Sequence, residues 1–278
     1  MYRTAIAIAA LLAATPALGQ TRTGQLPDPN DQSDTFSIGA GAGMIPDYEG
    51  SDDYEFIPVV GIRGRYNGFN FYSRGTFLYV DFIRRGDSPV EFDFGPIVGA
   101  RLNRTGKVED DRVDAMEERD TAFEVGGFAG VTYHGLTNPY DALSFHIDVT
   151  TDVSDAHGST LITPTIDFGT PLSMTTYVGI SASAEWAGDG YADYYYSIDA
   201  SDSLASTLPQ FDADGGFKHW RIGLFANQSI SGDLTHGWSI FGTGLYTKLS
   251  GDFADSPIVD EAGSSSQWFG ALGVAYTF

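Results

Sequence analysis

The chain contains no cysteine, so no disulfide can stabilise its fold. Basic residues are also scarce, because 15 Lys and Arg stand against 37 Asp and Glu and the formal net charge is −22. This balance excludes the basic patch that nucleic acid requires, and we expect no nucleic-acid partner. It also means that many carboxylates must lie in water or beside one of the few cations.

Long apolar runs are missing as well. After residue 19, no segment approaches the roughly 18 consecutive apolar residues of a transmembrane helix. The chain nevertheless carries 34 glycines and 14% aromatic residues, which is high for a soluble domain. A β-barrel reconciles these observations, because each strand turns only every second residue to lipid and the closed sheet pairs its backbone groups.

The C-terminal segment 267–278 alternates between two faces. One register carries Trp268, Leu272, Val274, Tyr276 and Phe278, and the other carries mainly small or polar residues. Such alternation is typical of a strand whose faces meet different media, and aromatic residues at both ends suit a strand that spans a bilayer. A half-buried strand of a soluble sandwich is the alternative. The final Phe278 favours the bilayer, since it resembles the C-terminal signal by which bacterial outer-membrane barrels are recognised for assembly.

The N-terminus indicates export. Arg3 precedes the short apolar core 5–14 and the small residues around Ala17-Leu18-Gly19, so we interpret residues 1–19 as a cleaved signal peptide. An N-terminal helix is the alternative. Residues 20–34 are polar and lack periodicity, which predicts a flexible periplasmic segment ahead of a barrel formed by residues 35–278.

The fold that we expect is all-β, a transmembrane antiparallel up-and-down β-barrel of about twelve strands. The candidate strands cover residues 35–44, 55–66, 69–73, 76–83, 90–103, 121–133, 143–153, 162–168, 172–186, 217–230, 238–249 and 267–278. If the short segments between residues 69 and 83 form one strand, the barrel has about ten strands.

Three prolines fall inside proposed strands: Pro58, Pro96 and Pro164. Each removes a backbone donor from the ladder, which predicts bulges or strand ends there.

The connections between these strands alternate in length. The long polar connections, 46–54, 105–120, 155–159, 188–215 and 251–266, all fall at one end of the barrel, and short links fall at the other. Short periplasmic turns and longer outer loops are the pattern of outer-membrane barrels. We therefore expect the long loops, including 188–215, to face solvent.

The first long loop carries a recognisable motif. Pro46-Asp-Tyr-Glu-Gly-Ser-Asp-Asp-Tyr54 follows Gly41-x-Gly43 and precedes Ile57-Pro58-Val59. This arrangement resembles the MltA-interacting protein / OmpV family of outer-membrane proteins, and the glycine-rich stretch Val125-Gly126-Gly127-Phe128 is similar to that family too. No catalytic residues are established for the family, so none carries over.

The resemblance implies a location in the cell outer membrane, in contact with lipid and lipopolysaccharide. One family member is described as a scaffold that joins a murein-cleaving lytic transglycosylase to a murein synthase, and others are linked to adhesion or to the envelope response to antibiotics and osmolarity. We therefore expect a structural scaffold whose partners are murein enzymes. A porin-like channel for small solutes is the alternative, and it rests on the fold alone.

A hydrolase is the third possibility, because Ser144, His146 and Asp148 share a strand face and His219 and Arg221 share another. Consecutive residues on one face lie about 6.5–7 Å apart, which is beyond hydrogen-bond reach in a regular ladder. We therefore expect no enzyme, no catalytic residue and no cofactor. Charged residues on the inward faces are instead expected to form a network of paired charges in the lumen: Arg63, Arg65, Arg101, Arg221, Asp93, Glu124, Asp148, Asp167 and Glu185.

The acidic first loop could bind calcium, or bridge to lipopolysaccharide through divalent ions, using the carboxylates of Asp47, Glu49, Asp52 and Asp53. These residues lack the regular spacing of a dedicated calcium loop, so we expect no metal site. The alternative is a solvated acidic loop whose Tyr48 and Tyr54 lie at the membrane interface.

Overall fold

The chain forms a closed antiparallel barrel in the computed structural model, which describes residues 33–84, 86 and 88–278. Its strands are β1 (Thr35–Pro46), β2 (Tyr54–Tyr66), β3 (Phe69–Arg74), β4 (Phe77–Asp81), β5 (Val90–Arg101), β6 (Ala122–His134), β7 (Ala142–Asp152), β8 (Thr160–Pro171), β9 (Thr176–Ala187), β10 (Gly216–Ser229), β11 (Gly237–Leu249) and β12 (Ser266–Thr277). Each strand pairs with its neighbours in sequence, and β1 pairs with β12 to close the barrel.

The predicted up-and-down barrel is confirmed, and the ten-strand alternative is wrong. Residues 69–74 and 77–81 form two strands that pair with each other. Within the described ranges, no helix combines the length and the hydropathy needed to cross a membrane. The predicted signal peptide, residues 1–19, lies outside the described residues, as does the periplasmic segment up to residue 32.

The two faces of the wall follow the predicted alternation. Large apolar side chains point outward, and Ile180, Leu224 and Leu272 are 50%, 61% and 71% exposed. Such exposure of aliphatic side chains suits a wall that lies in lipid. At the C-terminus, the backbone N–H of Phe278 donates to the carbonyl of Phe36, and the ring packs on Phe36 and Tyr276.

The expected bulges or strand ends are wrong at two prolines, because Pro58 and Pro96 lie inside β2 and β5 and keep an uninterrupted register with β1 and β6. At each proline the strand pairs regularly with one neighbour only, because the ladders with β3 and β4 do not reach Pro58 or Pro96. A sheet tolerates proline, which lacks a backbone N–H, at such an edge position. At Pro164 the pairing with β7 is continuous, but pairing with β9 is interrupted between Ile162 and Thr165 without a shift of register.

The β3–β4 hairpin makes one part of the wall shorter than the rest. The pairing of β2 with β3 covers only Arg63–Tyr66, although β2 itself begins at Tyr54. Likewise, β4 and β5 share a short ladder, which joins Phe77–Tyr79 to Ile97–Gly99. The hairpin therefore ends partway up β2, and the outer part of β2 pairs with β1 alone.

The long connections carry short helices. These are α1 (Asp111–Asp114), α2 (Asp189–Tyr196), α3 (Ala200–Ser206), α4 (Asp252–Asp255) and α5 (Pro257–Asp260). In an outer-membrane barrel, the end with the long connections faces outward and the end with short turns faces the periplasm. All five helices therefore lie at the outer end.

Candidate functional site

The long outer connections fold into a cap with a hydrophobic core of its own. The buried side chains of this core come from loops and from strand ends: Tyr48, Val108, Val113, Met116, Leu161, Ala187, Tyr191, Ala192, Tyr195, Tyr196, Ile198, Leu208, Ala213, Leu249, Phe253, Ile258, Val259 and Ala262. The expectation that loop 188–215 faces solvent is therefore wrong. Apolar residues spread over several loops are buried together, because burial removes their surface from water.

Tyr48 shows how the first loop is tied to this cap. Its side chain is 2% exposed, and its hydroxyl donates to the carbonyls of Ile258 and Ala262 at 3.0 and 2.8 Å. Burial raises the pKa of Tyr48 well above its usual range, which keeps the hydroxyl available as a donor. The predicted role of Tyr48 at the membrane interface is wrong, because its ring belongs to the cap core.

A β-bulge places a lysine beneath the cap. The register between β9 and β10 shifts between Phe217 and His219, so Lys218 and His219 both turn inward and are 0% and 1% exposed. Strict alternation would have put Lys218 on the lipid side. A bulge re-aims a side chain in this way because two residues then oppose one on the partner strand.

Lys218 holds the cap to the barrel through charge. Its Nζ lies 2.9 Å from Oε1 of Glu49 in the first loop and 2.8 Å from Oε1 of Glu185 on β9. It also donates to the hydroxyl of Tyr191 on α2 at 2.8 Å, and this hydroxyl donates to Oε2 of Glu49 at 2.6 Å. Burial alone would raise the pKa of Glu49, but the neighbouring ammonium outweighs it and lowers the pKa to about 2.

The same cluster contains a histidine without hydrogen bonds. Nδ1 of His219 lies 4.0 Å from both Glu49 and Glu185, and neither ring nitrogen has a partner among the described residues. Two carboxylates and an imidazole could in principle hold a transition metal. The set does not fit one here, because the ammonium of Lys218 already bridges the same two carboxylate oxygens.

The carboxylates of the first loop point to different partners and do not assemble into a calcium site. Glu49 turns inward to Lys218, and Asp47 accepts a hydrogen bond from the backbone N–H of Glu109 at 2.7 Å. Asp52 and Asp53 are exposed.

A second charge cluster lies beside the first. Nε of Arg101 lies 2.6 Å from Oε1 of Glu124, whose Oε2 accepts from the hydroxyl of Thr150 at 2.8 Å. His157, in the β7–β8 loop, contacts the same carboxylate at 3.4 Å, and its ring packs on that of Tyr191. Each loop that contributes to these clusters is thereby joined to the inner wall.

A third cluster lies at the tip of the β3–β4 hairpin. Nη1 of Arg74 lies 2.6 Å from Nε2 of His146, and Nη2 lies 3.3 Å from Oδ2 of Asp167. Nε2 of His146 lies 3.6 Å from Oδ1 of Asp148. The hydroxyl of Ser144 instead bonds that of Thr132 at 2.9 Å, so the serine, histidine and aspartate do not form a hydrolytic triad.

The predicted lumen network is confirmed in part. Arg101 pairs with Glu124, while Arg65 bonds Asn70, Arg221 bonds Thr247 and Asp93 bonds Thr132. The sequence did not predict three central partners. Arg74 pairs with Asp167, Lys218 pairs with Glu185 and Glu49, and the hydroxyl of Tyr191 donates to Glu49. The inward register of β3 could have revealed Arg74, whereas no local signal marks the bulge at Lys218.

Comparison with known proteins identifies the family. The family model described as MltA-interacting protein MipA matches residues 38–278. The chain belongs to the MipA family. Among curated relatives, the MltA-interacting protein of Escherichia coli (strain K12) is 24% identical over 249 residues, which covers 87% of this chain and 90% of the relative.

Two further relatives are named for their location. Outer membrane protein OmpV of Vibrio cholerae is 30% identical over 113 residues, covering 41% of this chain and 38% of the relative. Outer membrane protein Omp26La of Vibrio anguillarum is 26% identical over 170 residues, covering 60% and 58%. The MipA-family barrel described above is an outer-membrane protein, as the sequence predicted.

Solved structures of outer-membrane proteins are similar as well. The COG4313 outer membrane channel from Pseudomonas putida F1 aligns at a TM-score of 0.46 with 12% identity, covering 90% of this chain and 99% of that chain.

Proposed function

We propose that this barrel is an outer-membrane scaffold that acts through protein contacts, with murein-remodelling enzymes as its partners. The observation that carries the proposal is the cap. Its core and the Lys218–Glu49–Glu185 cluster occupy the outer end of the barrel, where a porin would keep an aqueous mouth. An outer end that carries packed loop residues suits an anchor better than a diffusion pore.

The choice of partner draws on the family. The Escherichia coli relative is named for interaction with MltA, and its alignment spans most of both chains. By this resemblance, the partners of the present chain are a lytic transglycosylase and a murein synthase. Both would meet the barrel from the periplasm, where the rim consists of the short turns.

We also propose that the barrel has no catalytic activity of its own. The relatives are named as interacting or outer-membrane proteins, and Ser144 lies apart from the His146–Asp148 pair.

A small-solute channel is the second candidate, favoured by the charged side chains that line the middle of the lumen, such as Arg74 and Asp167. Conductance of the purified protein in planar bilayers separates the two functions. A scaffold should give no discrete steps, whereas regular single-channel steps would favour the channel.

Capture tests the scaffold directly. Immobilised lytic transglycosylase from the producing organism should retain the folded barrel in detergent, and it should not retain an unrelated outer-membrane barrel of similar acidity. Equal retention of the two barrels would contradict the scaffold.

A further inference from the structure

Three carboxylates meet at the periplasmic end of the lumen, far from the cap. Asp81 is the last residue of β4, and Glu91 and Asp93 lie near the start of β5. One oxygen atom from each lies within 4.8 Å of the others. Asp81 is 2% exposed and Glu91 is 9% exposed, so two of these charges are almost entirely removed from water.

Asp81 has a buried oxygen without a partner. Its Oδ1 accepts hydrogen bonds from the backbone N–H groups of Ile83 and Phe94 at 2.9 and 3.1 Å. Its Oδ2 has no hydrogen-bond partner among the described residues. The Asn70 side chain also interacts with this carboxylate. An oxygen that no donor reaches with regular geometry is nevertheless costly to bury, because its lost hydration is not fully replaced.

The surrounding contacts supply oxygen ligands and an imidazole. The hydroxyl of Thr132 donates to Oδ2 of Asp93 at 2.9 Å, and Nε2 of His134 lies 2.9 Å from Oε2 of Glu91. Carboxylate oxygens are the ligands that hard divalent cations prefer. This cluster differs from the one at Lys218, where an ammonium already lies between the carboxylates.

We infer that Asp81, Glu91 and Asp93 bind a hard divalent cation, Ca²⁺ or Mg²⁺. The ion offsets two of the three negative charges and gives Oδ2 of Asp81 a partner.

The position of the site indicates what the ion does. The β4–β5 ladder is short. Next to it, the backbone N–H of Phe94 donates to the side chain of Asp81 and not to a backbone carbonyl of β4. A cation held by one residue of β4 and two of β5 joins these strands beyond their short ladder, where the backbone N–H of Phe82 donates to the carbonyl of Phe94. The site therefore clamps the β3–β4 hairpin to the rest of the wall.

Thermal unfolding of the folded barrel tests the inference, with heat-modifiable mobility as the readout. The wild-type barrel should unfold at a higher temperature in Ca²⁺ or Mg²⁺ than in EDTA, because a ligand that binds only the folded state stabilises it. Separate titrations with Ca²⁺ and Mg²⁺ show which ion binds more tightly. The acidic outer loops can also bind ions weakly, so variants are needed to locate the effect.

Asp93→Asn removes one anionic ligand and should weaken cation binding on the order of tenfold or more. In EDTA the same variant should unfold at the same temperature as the wild type or higher, because it relieves repulsion among the carboxylates. Asp212→Asn, at an exposed position of the connection between β9 and β10, is the matched control and should keep the full cation-dependent shift. Glu91→Gln repeats the test if Asp93→Asn does not fold.

The inference is overturned if the wild type unfolds at the same temperature in EDTA and in either cation. It is also overturned if Asp93→Asn and Glu91→Gln keep the wild-type shift, since the ion would then bind elsewhere.

Discussion

The two ends of this barrel are built on different principles. At the periplasmic end, a single polar side chain holds each of several short turns: Ser173 accepts from the backbone N–H groups of Thr175 and Thr176, and Asp233 accepts from that of Thr235. At the outer end, the loops bury apolar residues against one another, and Tyr48 bonds Ile258 across 210 residues of sequence. The turns are held by contacts within a turn or with the next turn, whereas the cap core joins loops that are distant in sequence.

This difference predicts where substitutions do harm. A side chain in an outer loop can be as buried as one in a soluble core, so loop position does not imply tolerance. A residue of a periplasmic turn should affect its own turn and the neighbouring one, since the backbone N–H of Leu234 donates to the carbonyl of Met174 in the next turn.

The largest effect is expected at Lys218. Lys218→Met leaves Glu49 and Glu185 facing each other without the ammonium between them, which should lower the free energy of unfolding by about 3–5 kcal/mol. Urea unfolding in liposomes measures the change. Lys107→Met is the control, because Lys107 is 72% exposed and 4.0 Å from Asp114, and it should change stability by about 0.5 kcal/mol at most. Similar losses in both variants would show that the cluster does not hold the cap.

Arginine substitutions on β9 test the wall that both ends share. Ile180 is 50% exposed on the lipid face, so Ile180→Arg should cost about 2–4 kcal/mol. Ser181 faces the lumen directly opposite Asp167, so Ser181→Arg meets a carboxylate and should cost less. The same urea assay compares the two. A larger cost for Ser181→Arg would indicate a packed interior at this level.

Two adjacent tyrosines of the cap separate hydrogen bonding from packing. Tyr191→Phe removes the hydroxyl between Glu49 and Lys218 and should cost about 1.5–3 kcal/mol, as expected for hydrogen bonds to charged groups. The buried hydroxyl of Tyr195 has no partner among the described residues, so Tyr195→Phe should be neutral or stabilising. Equal destabilisation by both substitutions would mean that the rings, and not the hydroxyl, carry the effect.

A periplasmic turn should respond less. Ser173→Ala removes the acceptor for two backbone N–H groups and should cost about 0.5–1 kcal/mol. Hydrogen exchange should increase in the β8–β9 turn and stay unchanged in the cap. Increased exchange in the cap would show that the two ends are coupled.

The smallest effect is expected for mild acid at the outer end. The folded-state pKa of Glu49 is about 2, below the value of about 4.3 for an unperturbed glutamate. Folding therefore favours the ionised form of Glu49. Its contribution to the free energy of unfolding is complete above about pH 4.3 and is lost as the pH falls towards 2. Protease resistance of the outer loops should not change between pH 7 and pH 5. Release of the cap near pH 5 would contradict this assignment.

The sequence alone determined the barrel wall. Side chains of a strand alternate by local geometry, so the lipid-facing register and the even number of crossings could be worked out from neighbouring residues. The choice between twelve and ten strands needed the pairing of β3 with β4. The Asn67-Gly68 turn was predictable for the same reason, since both residues adopt the positive φ that a two-residue hairpin turn requires.

Only the tertiary structure decided what lies inside the barrel and over its outer end. Lys218 reaches the lumen because a bulge breaks the alternation, and Glu49 meets it from a loop distant in sequence. The loop residues of the cap carry no periodic pattern, because their burial depends on contacts between loops and not on neighbours along the chain. The Asp81–Glu91–Asp93 cluster likewise exists only because β4 and β5 are joined. Alternation can assign a side chain to a face, but its partner depends on how strands and loops meet in space.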